Sequence, residues 1–137
     1  MNPIASKKTP TGPLREDEAI ILRDRKEREY LKRLRKGHAI SIRNGKIFVE
    51  DLIGLEEGSL VHSSMNENFL VLRPTLAQLL PNLPRKAQVI YPKDTALILV
   101  WADIFPGAKV VEAGVGPGAL TLSLLLSLIH ISEPTRL

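Results

Sequence analysis

The alternation of apolar and polar residues changes character near Pro74. Before this point, short β-prone runs flank polar turn residues, as in ISIRNGKIFV (40–49) and SLVHSSMNENFLVLRP (59–74). Asn44-Gly45 allows positive φ at both central positions of a type I′ turn, so the first run predicts a hairpin centred on that pair. The second run predicts another strand–turn–strand unit. We therefore expect a small antiparallel β domain over residues 15–73.

The N-terminal end of this region carries weaker patterns. Residues 1–14 contain three prolines, one glycine and two lysines, and they predict a disordered lead. Residues 18–36 are ambiguous from their pattern alone. Their charge content suits an exposed helix, but their apolar pairs do not hold a 3.6-residue period, and RDRKER (23–28) could be a turn between two strands.

After Pro74 the pattern becomes that of an α/β protein. Residues 74–84, PTLAQLLPNLP, predict a short helix that connects two domains. Pro92 suits a helix start, because the first turn needs no N–H there, and the apolar residues of 96–104, Trp101 included, are expected to be core. AKVVEA (108–113) predicts a short strand, and a leucine-rich helix follows it. Strand, glycine loop and helix in this order open a doubly wound sheet, so a Rossmann-like domain is expected to begin near residue 85.

The glycine loop in VVEAGVGPGALTL (110–122) follows the predicted strand, where such sheets bind ligands. Gly114-x-Gly116-x-x-Ala119 fits a dinucleotide fingerprint, yet Glu112 would repel a pyrophosphate and Pro117 removes one N–H from the loop. A ligand with a cationic end and no phosphate suits these residues better, and S-adenosylmethionine is such a ligand. A tight turn that binds nothing is the third interpretation.

Composition and charge narrow the function classes. The chain has no cysteine, and His38, His62 and His130 lack metal-ligand spacing, so no metal site is predicted. It has no signal-peptide pattern and no apolar run long enough for a membrane span, which predicts a cytoplasmic protein. Residues 1–36 hold eleven Lys/Arg against six Asp/Glu. This excess fits either a polyanion-binding surface or a solvated charged face.

The segments QVIYPKD (88–94) and ADIFPGAKVVEAGVGPGALT (102–121) resemble the tRNA (adenine-58-N1)-methyltransferase family, and DLIGLEEGSLVHSS (51–64) resembles its N-terminal domain. The resemblance implies a small β domain joined to a Rossmann-like methyltransferase domain, with a β-hairpin over 18–36. It also implies S-adenosylmethionine as cofactor, tRNA as partner and a homotetramer for the full-length protein. Arg73, Arg85 and Lys86 could grip phosphates near the domain junction, or they could belong to a solvated linker.

The resemblance carries a set of cofactor-binding positions onto this chain, in two segments. They are Gln88, Ile90 and Tyr91 beside the cofactor, and Glu112, Ala113, Gly114, Val115, Gly116, Pro117, Gly118, Ala119 and Leu120 in the loop. Pro117 stands where the family usually has a serine. The family's later acidic motifs are not present, so no catalytic residue is assigned.

The end of the chain departs from the family pattern. SLIHISEPTRL (127–137) does not continue that pattern, and it is expected to be a non-native tail on a truncated copy, with the methyltransferase domain represented by residues 85–126. The expected function is tRNA adenine-N1 methylation by the complete enzyme, with this fragment inactive. Two alternatives stay open: a non-catalytic RNA-binding or assembly module, and a fragment of a dinucleotide-binding oxidoreductase.

Overall fold

The computed structural model describes residues 11–43, 45–84 and 87–127. The chain divides into two compact units, Met1–Pro74 and Thr75–Leu137. The described residues of the first unit form six strands: β1 (Ala19–Arg23), β2 (Glu29–Arg33), β3 (Ala39–Ile42), β4 (Gly45–Phe48), β5 (Leu60–His62) and β6 (Asn68–Leu72). A 3₁₀ turn spans Val49–Asp51 between β4 and β5.

The strands of the first unit form two antiparallel sheets. The larger sheet has the order β2-β1-β6-β5, and β3 pairs with β4 in the smaller one. The pair β1–β2 confirms the hairpin that the family resemblance implied for residues 18–36. The pair β5–β6 confirms the second strand–turn–strand unit, in which Val61 lies opposite Phe69.

The core of the first unit is formed by alternate residues of these strands. Ile20 and Leu22 point to one side of β1, where they meet Phe69 and Val71 of β6, and all four side chains are buried. The Tyr30 and Phe69 rings pack edge to face with centroids 6.3 Å apart. Such an aromatic pair adds packing energy beyond the area that it buries. The pairing of β1 with β6, which are about fifty residues apart in sequence, therefore joins the local hairpins into one core.

Leu14 corrects the expected disordered lead at its C-terminal end. Its side chain is buried in the core, its N–H donates to the Leu55 carbonyl at 2.7 Å, and its carbonyl accepts from the Gly54 N–H at 2.8 Å. A single leucine between prolines and charges gives no periodic signal, because its partners lie forty residues away in sequence. Residues 1–10 of the expected lead lie outside the described part of the chain.

The β3–β4 hairpin is confirmed, but its turn is centred one residue earlier than expected. Gly45 pairs with Ile42 inside the ladder and is therefore a strand residue, whereas Asn44 lies outside the described residues. This register sets Ile40 opposite Ile47, and both are buried. Burial of one strand face fixes the register, and it outweighs the turn preference of the Asn-Gly pair.

In the part of the second unit that the structure describes there are three helices: α1 (Leu76–Leu79), α2 (Pro92–Trp101) and α3 (Ala119–Ser127). Thr75 and Gln78 form a reciprocal capping box at the start of α1, and a 3₁₀ turn at Leu80–Asn82 follows. Pro92 occupies the first turn of α2, as expected, and the Tyr91 carbonyl accepts from the Asp94 and Thr95 N–H groups at 3.0 Å.

Two expectations for the second unit are wrong. Residues 108–113 have no strand pairing, because the described part of the chain offers no neighbouring strand to hydrogen-bond with them. The apolar residues of α2 are not core: Val100 and Trp101 are 77% and 84% exposed. Ser127, the first residue of the expected non-native tail, is the last residue of α3, and its hydroxyl donates to the Ser123 carbonyl at 2.9 Å, so the prediction for that tail stays a prediction. The rest of that tail, 128–137, lies outside the described residues.

Candidate cofactor-binding site

The glycine loop forms a tight turn that leads directly into α3. The Gly118 N–H donates to the Val115 carbonyl at 2.9 Å, and the Gly118 carbonyl accepts from the Leu122 N–H at 2.9 Å. Gly114 and Gly118 have φ values of +78° and +86°, which L side chains rarely adopt, and a Cβ at either residue would meet no atom within 4 Å. The loop therefore needs glycine for its conformation and leaves open space along its surface.

Glu112 is the charged group of this site, and its orientation is fixed. The Thr121 hydroxyl, in the first turn of α3, donates to Glu112 Oε2 at 2.6 Å, and Glu112 is half-buried. A carboxylate near a helix N-terminus is also favoured by the helix dipole. The contact joins the two sides of the glycine loop across nine residues. Sequence reasoning missed Thr121, although a hydroxyl three residues into the helix, after an acidic strand end, was the available signal.

The segment before α2 lies beside this loop. A Cβ added to Gly116 would stand 3.8 Å from the Ala87 Cβ, so the loop and the start of the 87–91 segment are in van der Waals range. Within that segment Val89 is buried, whereas Ile90 and Tyr91 are 36% and 40% exposed. Gln88 is also exposed. The structure thus brings together the two segments that hold the expected cofactor-binding residues.

The remaining expected loop residues differ in accessibility. Ala113 and Val115 are exposed, whereas Pro117 and Leu120 are half-buried. Ala119 is 2% exposed and lies inside the unit at the first position of α3. Pro117 fits its place, because its fixed φ suits the tight turn that precedes Gly118. Ala119 therefore packs in the interior beneath the loop, and the other loop residues form the surface of the loop.

Arg73 does not form the expected phosphate grip. Its guanidinium lies 3.0 Å from Glu18 and 3.6 Å from Glu57, its side chain is 7% exposed, and it also donates to the Gly12 carbonyl at 2.9 Å. The Arg73 guanidinium, enclosed by two carboxylates and a carbonyl, therefore has a structural role within the first unit. Arg85 and Lys86, the other two residues of that expected grip, lie outside the described residues.

The described residues lack two features that would change the class of site. No group of three or more His, Asp or Glu side chains in the described segments is arranged to hold a metal ion. His130, one of the three histidines considered above, lies outside those segments. None of the helices described in the structure has the length and apolar character that a membrane crossing requires.

Comparison with known proteins decides the family. Residues 12–61 match the family described as TrmI-like N-terminal, and residues 68–131 match the tRNA methyltransferase complex GCD14 subunit family. The chain belongs to the tRNA (adenine-58-N1)-methyltransferase family. Together the two matches cover both units, and the second one reaches into the segment that was expected to be a non-native tail.

Two relatives illustrate the sequence similarity within this family. The tRNA (adenine(58)-N(1))-methyltransferase TrmI of Thermus thermophilus is 37% identical over 105 residues, which are 77% of this chain and 41% of the relative. The tRNA (adenine(57)-N(1)/adenine(58)-N(1))-methyltransferase TrmI of Methanocaldococcus jannaschii is 37% identical over 76 residues, 56% of this chain and 27% of the relative. This chain thus spans about two fifths or less of the length of these relatives.

Solved structures confirm the fold class, an antiparallel β domain followed by part of a Rossmann-like methyltransferase domain. A SAM-dependent O-methyltransferase from Thermotoga maritima matches with a TM-score of 0.77 at 25% identity, covering 84% of this chain and 43% of that one. The tRNA (m1A58) methyltransferase TrmI from Aquifex aeolicus matches with a TM-score of 0.70 at 30% identity, covering 83% and 44%.

Proposed function

We propose that this chain is the RNA-contacting and cofactor-binding portion of an S-adenosylmethionine-dependent methyltransferase that modifies N1 of adenine 58 in the tRNA T-loop. The observation that carries the proposal is the carboxylate of Glu112, held by Thr121 at 2.6 Å beside an open glycine loop. The family membership and the names of the relatives support the reaction and the substrate.

The residues present fit this cofactor. S-adenosylmethionine supplies an electrophilic methyl group on a sulfonium, and it carries an ammonium at its amino-acid end. An oriented, half-buried carboxylate is a suitable partner for that cationic end, because charge-assisted hydrogen bonds are stronger than neutral ones. Gly114 and Gly118 leave the loop surface open, so a ligand can approach the backbone closely. A dinucleotide fits worse, since its pyrophosphate would face Glu112.

The chemistry assigns binding and positioning to this chain. Bound S-adenosylmethionine would supply its methyl group to the adenine N1 lone pair, with a neutral thioether as the leaving group. Glu112, oriented by Thr121, would hold the amino-acid end of the cofactor, and Ile90 and Tyr91 would border the adjacent surface. Proximity and orientation of two bound reactants account for a large share of such rate enhancements. No residue of this chain is assigned a proton transfer.

The test of the cofactor assignment is calorimetric titration of the chain with S-adenosylmethionine and, separately, with NADH. Glu112→Gln keeps the shape and removes the charge, so we expect S-adenosylmethionine affinity to fall about ten- to hundred-fold, since a hydrogen bond to a charged group contributes about 1.5–3 kcal/mol. Thr121→Val should give a smaller loss, because the carboxylate stays but loses its orientation. Glu56→Gln, in the other unit, is the matched control and should change nothing.

Two outcomes would overturn the cofactor assignment. One is unchanged S-adenosylmethionine affinity in Glu112→Gln, and the other is NADH binding to the natural chain at micromolar concentrations. The latter would favour the dinucleotide-binding alternative.

Methyl transfer is tested in a chimera, because the chain spans 41% of its Thermus thermophilus relative. Residues 1–127 are joined to the remaining C-terminal part of that relative and assayed with labelled S-adenosylmethionine and an unmodified tRNA transcript. We expect label in the transcript, none when adenine 58 is replaced by uridine, and strong loss in the Glu112→Gln chimera. A folded chimera that binds the cofactor but labels no tRNA would favour the non-catalytic module.

A further inference from the structure

Two turns of the first unit have the same construction. In residues 24–28, the Asp24 N–H donates to the Arg28 carbonyl at 3.1 Å and the Glu27 N–H to the Asp24 carbonyl at 3.0 Å. In residues 63–67, the Ser63 N–H donates to the Glu67 carbonyl at 2.9 Å and the Asn66 N–H to the Ser63 carbonyl at 2.8 Å. Glu27 and Asn66, the fourth residue of each turn, both have φ +60°.

A buried side-chain acceptor at the first position holds each turn rigid. Asp24 Oδ1 accepts from the N–H groups of Lys26 at 2.8 Å and Arg28 at 3.0 Å, and its other oxygen accepts from Arg28 Nε at 2.6 Å. The Ser63 hydroxyl accepts from the Met65 and Glu67 N–H groups, both at 3.3 Å. Each turn therefore presents its second and third residues outward on a fixed backbone.

Both turns lie at the same end of the larger sheet, since β1 and β6 are antiparallel neighbours. The β3–β4 turn joins them there: the Lys46 N–H donates to Ser64 Oγ at 3.0 Å, and the Ser64 N–H donates to the Lys46 carbonyl at 2.8 Å. We call residues 24–28, 43, 45, 46 and 63–67 the three-turn surface.

The three-turn surface carries more cations than acids. Arg25, Lys26, Arg43 and Lys46 are exposed, and none of them forms an ion pair with another described residue. The Arg28 charge, in contrast, is matched by Asp24 at 2.6 Å. The other two acids of the surface are Glu27 and Glu67, so the surface holds five Lys and Arg side chains against three acids.

Two concavities flank the Arg25 side chain. One, of about 230 Å³, lies between the two matching turns. It is bordered by three cations, two amide side chains and two carboxylates: Arg25, Lys26, Arg28, Asn66, Asn68, Asp24 and Glu67. The other, of about 390 Å³, is bordered by Arg25, by Arg23 in its ion pair with Glu29, and by Asp24 and Glu27, and it has Leu60 and Leu70 in its wall. Cations, amide groups and an apolar wall side by side suit a nucleotide, which offers a phosphate, polar edges and a flat ring.

We propose that the three-turn surface docks the RNA backbone of the tRNA substrate, with Arg25 and Lys26 as its principal phosphate contacts. This inference rests on the proposed function for the identity of the RNA. Its physical basis is that the cations are held on rigid turns before binding. Little backbone ordering is then needed when the RNA arrives.

The test is fluorescence anisotropy with the whole chain and a labelled, unmodified tRNA transcript over a series of KCl concentrations. Arg25→Ala/Lys26→Ala should weaken binding about tenfold at about 0.1 M salt, and it should lower the slope of log Kd against log[KCl] by about 1–2, because each lost phosphate contact releases roughly one counterion fewer. Lys46→Ala, on the third turn, should weaken binding about threefold.

The matched control removes the same charge elsewhere on the unit. Arg33→Ala/Arg35→Ala also deletes two exposed cations, so its effect should stay within about twofold to threefold with the slope nearly unchanged. Circular dichroism melts of all variants should coincide with that of the natural chain, because the substituted side chains are exposed. Lys46→Ala provides an independent readout if the double variant melts early.

Three results would overturn the proposal that the three-turn surface binds tRNA. They are equal losses of tRNA affinity in the two double variants, no salt-dependent tRNA binding by the natural chain, and a larger loss of affinity for phosphatidylserine vesicles than for tRNA. The last result would indicate a membrane surface instead. The variants should keep their S-adenosylmethionine affinity. A chain that binds tRNA through this surface but fails to bind S-adenosylmethionine would refute the proposed function without refuting the tRNA-binding role of the surface.

Discussion

The two units of this chain treat similar apolar residues in opposite ways. Phe69 in the first unit is 2% exposed and is surrounded by residues from several strands, whereas Trp101 in the second is 84% exposed. The first unit contains three hairpins, two of which are joined in one sheet by the pairing of β1 with β6. The described residues of the second unit contain helices and no paired strand, and a parallel sheet buries its faces only when crossover helices and further strands cover them.

The difference shows that apolar content alone does not make a core. Leu97, Val100 and Val111 are as apolar as the core residues of the first unit, yet each is more than half exposed. The chain spans about two fifths of its Thermus thermophilus relative. A βα element of a doubly wound sheet depends on non-local neighbours in a way that an antiparallel hairpin does not.

Aromatic truncation in the two units is the strongest test of this contrast. Phe69→Ala should lower the free energy of unfolding of the first unit by about 3–5 kcal/mol, since it opens a cavity in a closed core. Trp101→Ala should change the free energy of unfolding of the second unit by less than about 0.5 kcal/mol. Urea denaturation followed by far-ultraviolet circular dichroism measures both. Similar losses in the two variants would mean that Trp101 is packed in solution and that the contrast is wrong.

Glycine substitution gives a smaller and more local contrast. A Cβ at Gly45 would stand 2.7 Å from Ser64 Oγ at φ +106°, so Gly45→Ala should cost the first unit about 2–4 kcal/mol, combining strain and overlap. Gly54→Ala, at φ +92° in open space, should cost only the strain, about 1–2 kcal/mol. Gly114→Ala, in the second unit, should leave the melting of the first unchanged. Equal effects of Gly45→Ala and Gly54→Ala would show that steric overlap with Ser64 does not contribute to the cost at Gly45.

Acid titration should produce the smallest of the three effects, and only in the first unit. Burial raises the pKa of Asp24, but hydrogen bonds from the backbone and side chain of Arg28 and from the Lys26 N–H outweigh it and hold the pKa below its usual value. A lowered folded pKa stabilises above the unfolded value, about 3.9, and this stabilisation is lost as the pH falls through the folded value. The first unit should therefore weaken below about pH 4.

Asp24→Asn isolates that contribution. The variant should melt below the natural chain at pH 7, and the gap between the two melting temperatures should narrow as the pH drops below about 4. Glu27→Gln, in the same turn, is the control and should follow the natural chain throughout. A gap that stays constant from pH 7 to pH 3 would show that Asp24 does not carry this acid sensitivity.

The sequence by itself determined the elements whose partners are close in the chain. The hairpins of the first unit, the start of α2 at Pro92 and the glycine turn before α3 all follow from residues within about ten positions of one another. The family resemblance added the β1–β2 hairpin and the positions of the candidate cofactor site. These signals are local because turn chemistry, strand alternation and helix starts are local.

Only the tertiary structure decided the features that depend on distant neighbours. The burial of Leu14 against residues 54 and 55, the shift of the β3–β4 turn to bury Ile40 opposite Ile47, and the enclosure of Arg73 by Glu18 and Glu57 each join segments far apart in sequence. The Glu112–Thr121 contact and the gathering of three turns at one end of a sheet are of the same kind. The physical reason is that the sequence pattern shows which side chains are apolar and which are charged. Which residues each side chain contacts depends on how the whole chain folds.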